Sequence, residues 1–169
     1  MDILNLISKR RSVREYTTNA IEQEKIDYLI ECARLAPSAV NFQPWKFIIV
    51  KSQEKKALLH KCYHGEWFAN APLYIIALAD RTQSWKRSSD EKDHGEIDVT
   101  IAVEHIALAA VEKGLSTCWV CNFNVDLCKE LFNLPENLFP VALIPIGYPV
   151  KEPEEISNRK TVQEITETI

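Results

Sequence analysis

Glycine is scarce in this chain. Only four occur in 169 residues, at positions 65, 95, 114 and 147, and no two are close enough to form a GxGxxG turn or a Walker loop. A nucleotide bound here would have to be gripped by side chains. Long hydrophobic runs are missing too: no stretch approaches the ~20 apolar residues of a membrane span. The first thirty residues carry charge every few positions and contain no signal-peptide-like apolar run. A cytoplasmic protein with no membrane association is expected. Nor is there a surplus of positive charge, since 20 Lys and Arg stand against 24 Asp and Glu for a net charge of -4. That balance argues against a general nucleic-acid binder, whose affinity rests on a basic surface. Repeats and low-complexity tracts are also absent. What is present, 46% hydrophobic and 26% charged residues, is the composition of one globular domain spanning 1–169.

The five cysteines are odd in number and lie mostly in apolar stretches, as reduced thiols do in a reducing compartment. Cys118 and Cys121 in "STCWVCNF" have CxxC spacing. A zinc site would need a second ligand pair, and only Cys128 follows nearby. A thioredoxin-like site would put its first cysteine at a helix N-terminus, whereas "LSTCWVCNF" reads as a buried strand. His60 and His64 would share a helix face at i and i+4, but no acidic residue between them completes a zinc-protease motif, and a solvated face is expected.

Hydrophobic spacing predicts a short first helix at Ile3, Leu6 and Ile7, a second over about 22–35 that stops at Pro37, and a loop "PSAVNFQP" bounded by prolines. A strand "WKFIIVK" follows, then a helix "QEKKALLHKCYHGEWF" ending near Gly65. "APLYIIALAD" reads as a strand buried on both faces. Residues 81–95 are polar, without period, and read as a loop. An apolar helix from Glu96 to Lys113 ends at Gly114, placed as a C-terminal cap. A strand at about 116–122, a helix from Val125 to Phe132 and a strand "FPVALIPIGYP" complete the core pattern. Strands separated by helices imply an α+β or α/β layer domain with four or five strands. The last twenty residues, from Val150, hold no core-sized pattern, so they form a disordered tail or an arm that packs on another subunit.

One cluster stands out against the negative net charge: "SKRRSVREYT" places Arg10, Arg11, Ser12 and Arg14 together. Guanidinium forks match phosphate oxygens, and a serine hydroxyl can complete such a cradle. The same charges could equally complement the C-terminal dipole of the first helix and face water. If that helix continued, Arg10 and Arg14 would lie on one face.

"RRSVREYT", "ARLAPSAVNFQPWKFIIV", "IDVTIAVEHIALAAVEKGLSTCWV", "LIPIGYP" and "NRK" occur in that order, and with them nearly the whole chain resembles the short members of the FMN-dependent nitroreductase family. The resemblance implies an α+β fold, a three-layer α/β/α sandwich around a mostly antiparallel sheet. Two chains would intertwine as a homodimer with FMN at the interface, and residues 150–169 would form an arm over the partner. Arg10 and Ser12 match positions that hold the FMN phosphate, Arg11 a neighbour of the same region, and Arg14 a cation near the pyrimidine edge of the flavin. Pro37, Ser38, Ala39, Asn41 and Gln43 match a loop that reaches the flavin from the other subunit. Val120, Cys121 and Asn122 match a segment along one face of the ring, and Arg159 a second phosphate-binding arginine, with Lys160 as its helper.

In this family picture no side chain does acid–base or nucleophilic work. Flavin N5 takes a hydride from NADH or NADPH and passes electrons to a small acceptor such as a nitroaromatic or a quinone, in ping-pong fashion, while the protein supplies position and electrostatics. Oxygen-using or dehalogenating flavin chemistry and a non-catalytic flavin-binding module are the alternatives. Trp67, Phe68 and Trp85 are candidates for the pocket wall, with core or interface roles equally open. Two departures stand out. The inserted roof of longer members is replaced by the polar loop 81–95, and Ser157 stands where a basic residue often precedes the late arginine.

Overall fold

A computed structural model describes residues 2–154 and 158–169 of the chain; the Ser157 position lies outside the described residues. In order, the chain forms α1 (Ile3–Lys9), α2 (Gln23–Arg34), β1 (Trp45–Val50), α3 (Gln53–Cys62), β2 (Leu73–Asp80), α4 (Gly95–Glu112), β3 (Ser116–Thr117), α5 (Val125–Leu131), β4 (Leu138–Gly147) and α6 (Val162–Ile165). Two single 3-10 turns, at Ala39–Asn41 and Glu66–Asn70, interrupt the connections.

β2 dictates the layering. Every residue from Leu73 to Ala79 is apolar and buried, so the strand needs cover on both faces. Because side chains alternate across a strand, Leu73, Ile75, Ala77 and Ala79 join one cluster with Ile26 and Leu29 of α2 and Val99, Val103 and Ile106 of α4. Tyr74, Ile76 and Leu78 join a second cluster with Leu59 of α3, Cys128 of α5 and Phe68. The result is the expected α/β/α sandwich. All four strands pair antiparallel in the order β1-β2-β4-β3, and an isolated parallel bridge joins Ser12 to Thr117.

Three elements depart from the sequence reading. The helix expected to reach Gly65 stops at Cys62, where Tyr63 turns extended. Phe68 instead turns inward on its 3-10 turn, its carbonyl accepting the Tyr74 hydroxyl, so Phe68 is a core residue and no pocket wall. His64 is therefore off the helix, and His60 and His64 do not share a face. The expected strand over 116–122 shrinks to Ser116–Thr117, with Val120 rejoining β4 only through a bridge to Leu143. The ladder fails where Cys118 faces Pro145: the Cys118 N–H donates to the Pro145 carbonyl at 3.4 Å, and proline has no N–H to return. On the other edge of β3 the Thr117 carbonyl accepts the Val13 N–H at 3.0 Å. The loop after β2 is tied into a hairpin-like turn. Lys86 bridges Asp93, the Trp85 carbonyl accepts the His94 N–H at 2.9 Å, and Ser84 Oγ donates to Asp93 Oδ2 at 2.7 Å.

His60 is half-buried rather than solvated, 3.0 Å from the Tyr74 hydroxyl and edge-on to Phe68 and Tyr74. Burial, and then the nearby Lys56 charge, hold its pKa below the usual histidine value. The unfolded chain therefore binds a proton at higher pH than the folded one, and stability must fall as pH drops from the ordinary histidine value of about 6.5 through the lower folded one. His60→Gln should flatten this slope, read as a smaller loss of Tm between pH 7 and pH 5 than in the wild type.

Candidate functional site

The arginine segment is extended, not helical. Asp2 caps α1 by accepting the Asn5 N–H at 2.9 Å, the helix ends at Lys9, and Arg10 already has β geometry. Beyond it the chain is stitched on both sides. Besides the Val13 bond to Thr117, the Thr17 N–H donates to the Tyr148 carbonyl at 2.8 Å and the Val150 N–H to the Glu15 carbonyl at 3.2 Å. An extended backbone has a side-chain period of two. Arg10, Ser12 and Arg14 therefore share a face for a reason other than the helical one considered from spacing.

Tyr16 pins this segment to the sheet. It is buried, its hydroxyl donates to the Val13 carbonyl at 2.6 Å, and burial pushes its pKa well up. Gly147 makes room for it: a Cβ there would meet Pro72 Cδ at 2.8 Å and Tyr16 Cδ1 at 2.9 Å.

The segment borders an open cleft of about 1020 Å³ that gathers Arg10, Arg11, Ser12 and Arg14 with Trp67 and Arg159. Arg159 is thus brought to the first arginines across nearly the whole length of the chain. Lys160 does not line the cleft. The sequence reading missed Asn70 and Lys151, which do line it, because nothing in "EWFAN" or in the polar tail marks them locally. Among the described lining residues, Arg10, Arg11, Arg14, Lys151 and Arg159 outnumber Glu15, Glu152 and Glu154.

The three leading guanidiniums are not equivalent. Arg11 donates to the carbonyls of Ser8 at 2.6 Å, Arg10 at 2.8 Å and Glu154 at 2.8 Å, so it closes the end of α1 and ties the tail to it. Among the described residues Arg10 has only a 3.7 Å contact with Glu104, at 21% side-chain exposure, which leaves its fork largely uncommitted to them. Arg14 lies over the Trp67 ring at 5.7 Å from the centroid, so Trp67 is a wall of the cleft. Trp85 packs instead edge-on against His94, their centroids 4.8 Å apart.

The loop 37–43 does not line this cleft within one chain. Val40, Asn41 and Gln43 all have positive φ, at 46°, 60° and 53°, a conformation that is strained for a β-branched residue such as Val40. Two anchors hold it. Ser38 Oγ accepts the Gln43 N–H at 2.9 Å, and Asp98 Oδ1 accepts the Ala39 N–H at 3.0 Å. Asp98 is 3% exposed, and its Oδ2 is buried with no partner. It too escaped the sequence reading, since an acid in the first turn of a helix passes for a dipole complement. Pro37, Asn41 and Gln43 point outward, with Val40 and Phe42 exposed among them.

Val120 is buried, while Cys121 and Asn122 are exposed at the turn before α5. Cys118 is buried beside the arginine segment, with its thiol pushed up by burial and drawn back by Arg14, Ser12 and Arg10. All five cysteines are free. Burial also raises the Cys121 thiol, so neither member of the CxxC pair is an activated thiolate. Among the described residues no group of His, Cys, Asp and Glu could hold a metal ion, and no helix is long and apolar enough to cross a membrane.

Sandwich and cleft together define an α+β protein with an open cleft lined by an excess of cationic side chains among the described residues. The chain belongs to the nitroreductase family, whose model matches residues 7–63 and 56–148. A protein of Methanothermobacter thermautotrophicus with the provisional name NADH dehydrogenase/NAD(P)H nitroreductase is 35% identical over 160 residues, covering 90% of this chain and 80% of that protein. A solved nitroreductase family protein of Clostridium difficile superimposes with a TM-score of 0.93 at 35% identity, covering 99% of this chain and 98% of the other. The FMN reductase (NAD(P)H) of Bacillus subtilis is 28% identical over 164 residues, covering 88% of this chain and 66% of that protein.

Proposed function

We propose that the protein is an FMN-dependent NAD(P)H oxidoreductase acting on nitroaromatic, quinone or related small acceptors, and that the arginine cleft holds the FMN phosphate. The observation that carries this reading is the convergence of Arg10, Ser12 and Arg159 on one cleft, with the Arg10 fork nearly unused. Cleft size and cationic excess suit a phosphate monoester joined to a large ring. When bound, FMN supplies hydride acceptance from NADH or NADPH and electron delivery to the acceptor.

The chain's own residues bind and tune. Arg10, Ser12 and Arg159 grip the phosphate, and Arg11 orders the segment that carries Arg10 and Ser12; Lys160, outside the cleft lining, adds charge beside Arg159. Arg14 sets a positive charge near the pyrimidine edge, where it favours the reduced state. Backbone and side-chain groups of Val120, Cys121 and Asn122 lie along the ring.

The working unit is a homodimer in which Pro37, Ser38, Ala39, Asn41 and Gln43 reach the partner's flavin. Supporting this, α1 buries none of its own residues, and Ile3, Leu4 and Ile7 are exposed together with Leu35, Val40 and Phe42. An apolar surface of that extent calls for a cover. The arm 150–169, with Val162 and Ile165 also exposed, wraps the partner.

An absorbance spectrum of the purified protein should show oxidised flavin between about 350 and 500 nm that bleaches on anaerobic addition of NADH or NADPH. A colourless protein that neither takes up added FMN nor responds to nicotinamide would overturn the reading.

A further inference from the structure

A second cavity, of about 570 Å³, opens between the start of α3 and the chain entering β2. Its floor is apolar, made by Ile21, Ile26 and Leu73, and its rim carries Lys51, Gln53 and Lys56. It contains no acidic lining residue. It meets the arginine cleft only at Asn70, and none of the exposed apolar groups of α1, the 35–42 loop or the tail lines it.

Lys56 is the anomaly. It is only 8% exposed, yet its ammonium has no hydrogen bond or ion pair among the described residues. Its stem lies inside the protein while its Nζ, which is not fully buried, reaches solvent at the cavity. Lys51, at the rim, is held by donating to Gln23 Oε1 at 2.8 Å. Burial depresses the Lys56 pKa, and no carboxylate offsets it. An unpaired cation above an apolar floor is complementary to a small anion with an apolar body, which would bring the missing counter-charge and cover the floor at once.

We propose that this cavity is a binding site for a small aromatic or aliphatic carboxylate, with the carboxylate on Lys56, Lys51 at the rim beside it, and the apolar body on Ile21, Ile26 and Leu73. The site is separate from the proposed flavin chemistry and needs no cofactor.

The test is p-bromobenzoate soaked into crystals of the holoprotein, because the bromine anomalous signal locates the ligand wherever it binds. Wild type should show a bromine peak in the cavity with its carboxylate on Lys56. Lys56→Met should lose that peak, and Lys56→Arg should keep it. The proposal is overturned if bromine is found only in the arginine cleft or nowhere, or if the cavity peak persists in Lys56→Met. An independent measurement needs no ligand. Relieved of a partly desolvated cation with no partner among the described residues, Lys56→Met should melt about 2–4 °C higher than wild type, whereas an unchanged or lower Tm would show that the lysine has a partner and remove the basis of the site.

Discussion

Arg10→Ala is expected to weaken FMN binding about 10- to 100-fold, the equivalent of the roughly 1.5–3 kcal/mol that a hydrogen bond to a charged group contributes. Arg10 is singled out because its guanidinium is the least committed of the leading three. Its one partner among the described residues, Glu104, sits at 3.7 Å, too long for a strong bond, whereas Arg11 is occupied by three carbonyls and Arg14 rests over Trp67. Equilibrium titration of the apoprotein with FMN checks the expectation. Arg10→Lys should fall between the two, keeping the charge but losing the fork. Under the proposed placement of its cation by the ring rather than the phosphate, Arg14→Ala should change affinity less and lower the flavin midpoint potential instead. Unchanged FMN affinity in Arg10→Ala would refute the phosphate role.

Gly147→Ala should cost about 2 kcal/mol of stability by overpacking, and so lower Tm by about 4–8 °C, although it adds one methyl group. The added Cβ would approach Pro72 Cδ to 2.8 Å and Tyr16 Cβ to 3.0 Å. Neither neighbour yields easily: the proline ring is rigid, and Tyr16 is buried with its hydroxyl on Val13. The effect should extend to the site, because Tyr16 pins the segment that carries Arg10, Ser12 and Arg14. Reduced FMN retention should therefore accompany the lower Tm. Calorimetry together with flavin content of the purified variant would show whether both fall. A destabilised variant with full flavin content would mean that the arginine segment is held by its backbone bonds to Thr117 and Tyr148 alone.

Much of this molecule was legible locally. The wholly apolar "LYIIALA" run announced a strand covered on both faces, and the periodic apolar positions of α2 and α4 located those helices to within a residue or two. Gly114, at φ +72°, ends α4 as its position after Lys113 implied. The close grouping of Arg10, Arg11, Ser12 and Arg14 in the sequence already pointed to residues that line one cleft. These features depend on neighbours within a few positions, which hydrophobic period and residue chemistry encode directly.

Other features depend on what arrives from elsewhere in the chain. Charge spacing put Arg10 and Arg14 on a possible helix face, and only the pairing of residues 12–17 with 117 and 148–150 made the segment extended and returned them to one face by a different period. The 116–122 strand is cut short where Cys118 meets Pro145 of β4, which has no N–H to return. Arg11 is indistinguishable from Arg10 in sequence, yet the carbonyl groups at the end of α1 and in the tail claim it. In "QEKKALLHKC" three lysines look alike, and the docking of α3 against the sheet decides that Lys56 alone turns inward. Asp98 reads as a surface acid until the loop 37–43 folds over it. The sequence by itself determined the layers, the helices and the presence of a clustered set of arginines, because burial patterns and residue chemistry are local. Tertiary structure decided which charges remain free to bind a ligand, because a charge's partners are chosen by packing between residues far apart in the chain.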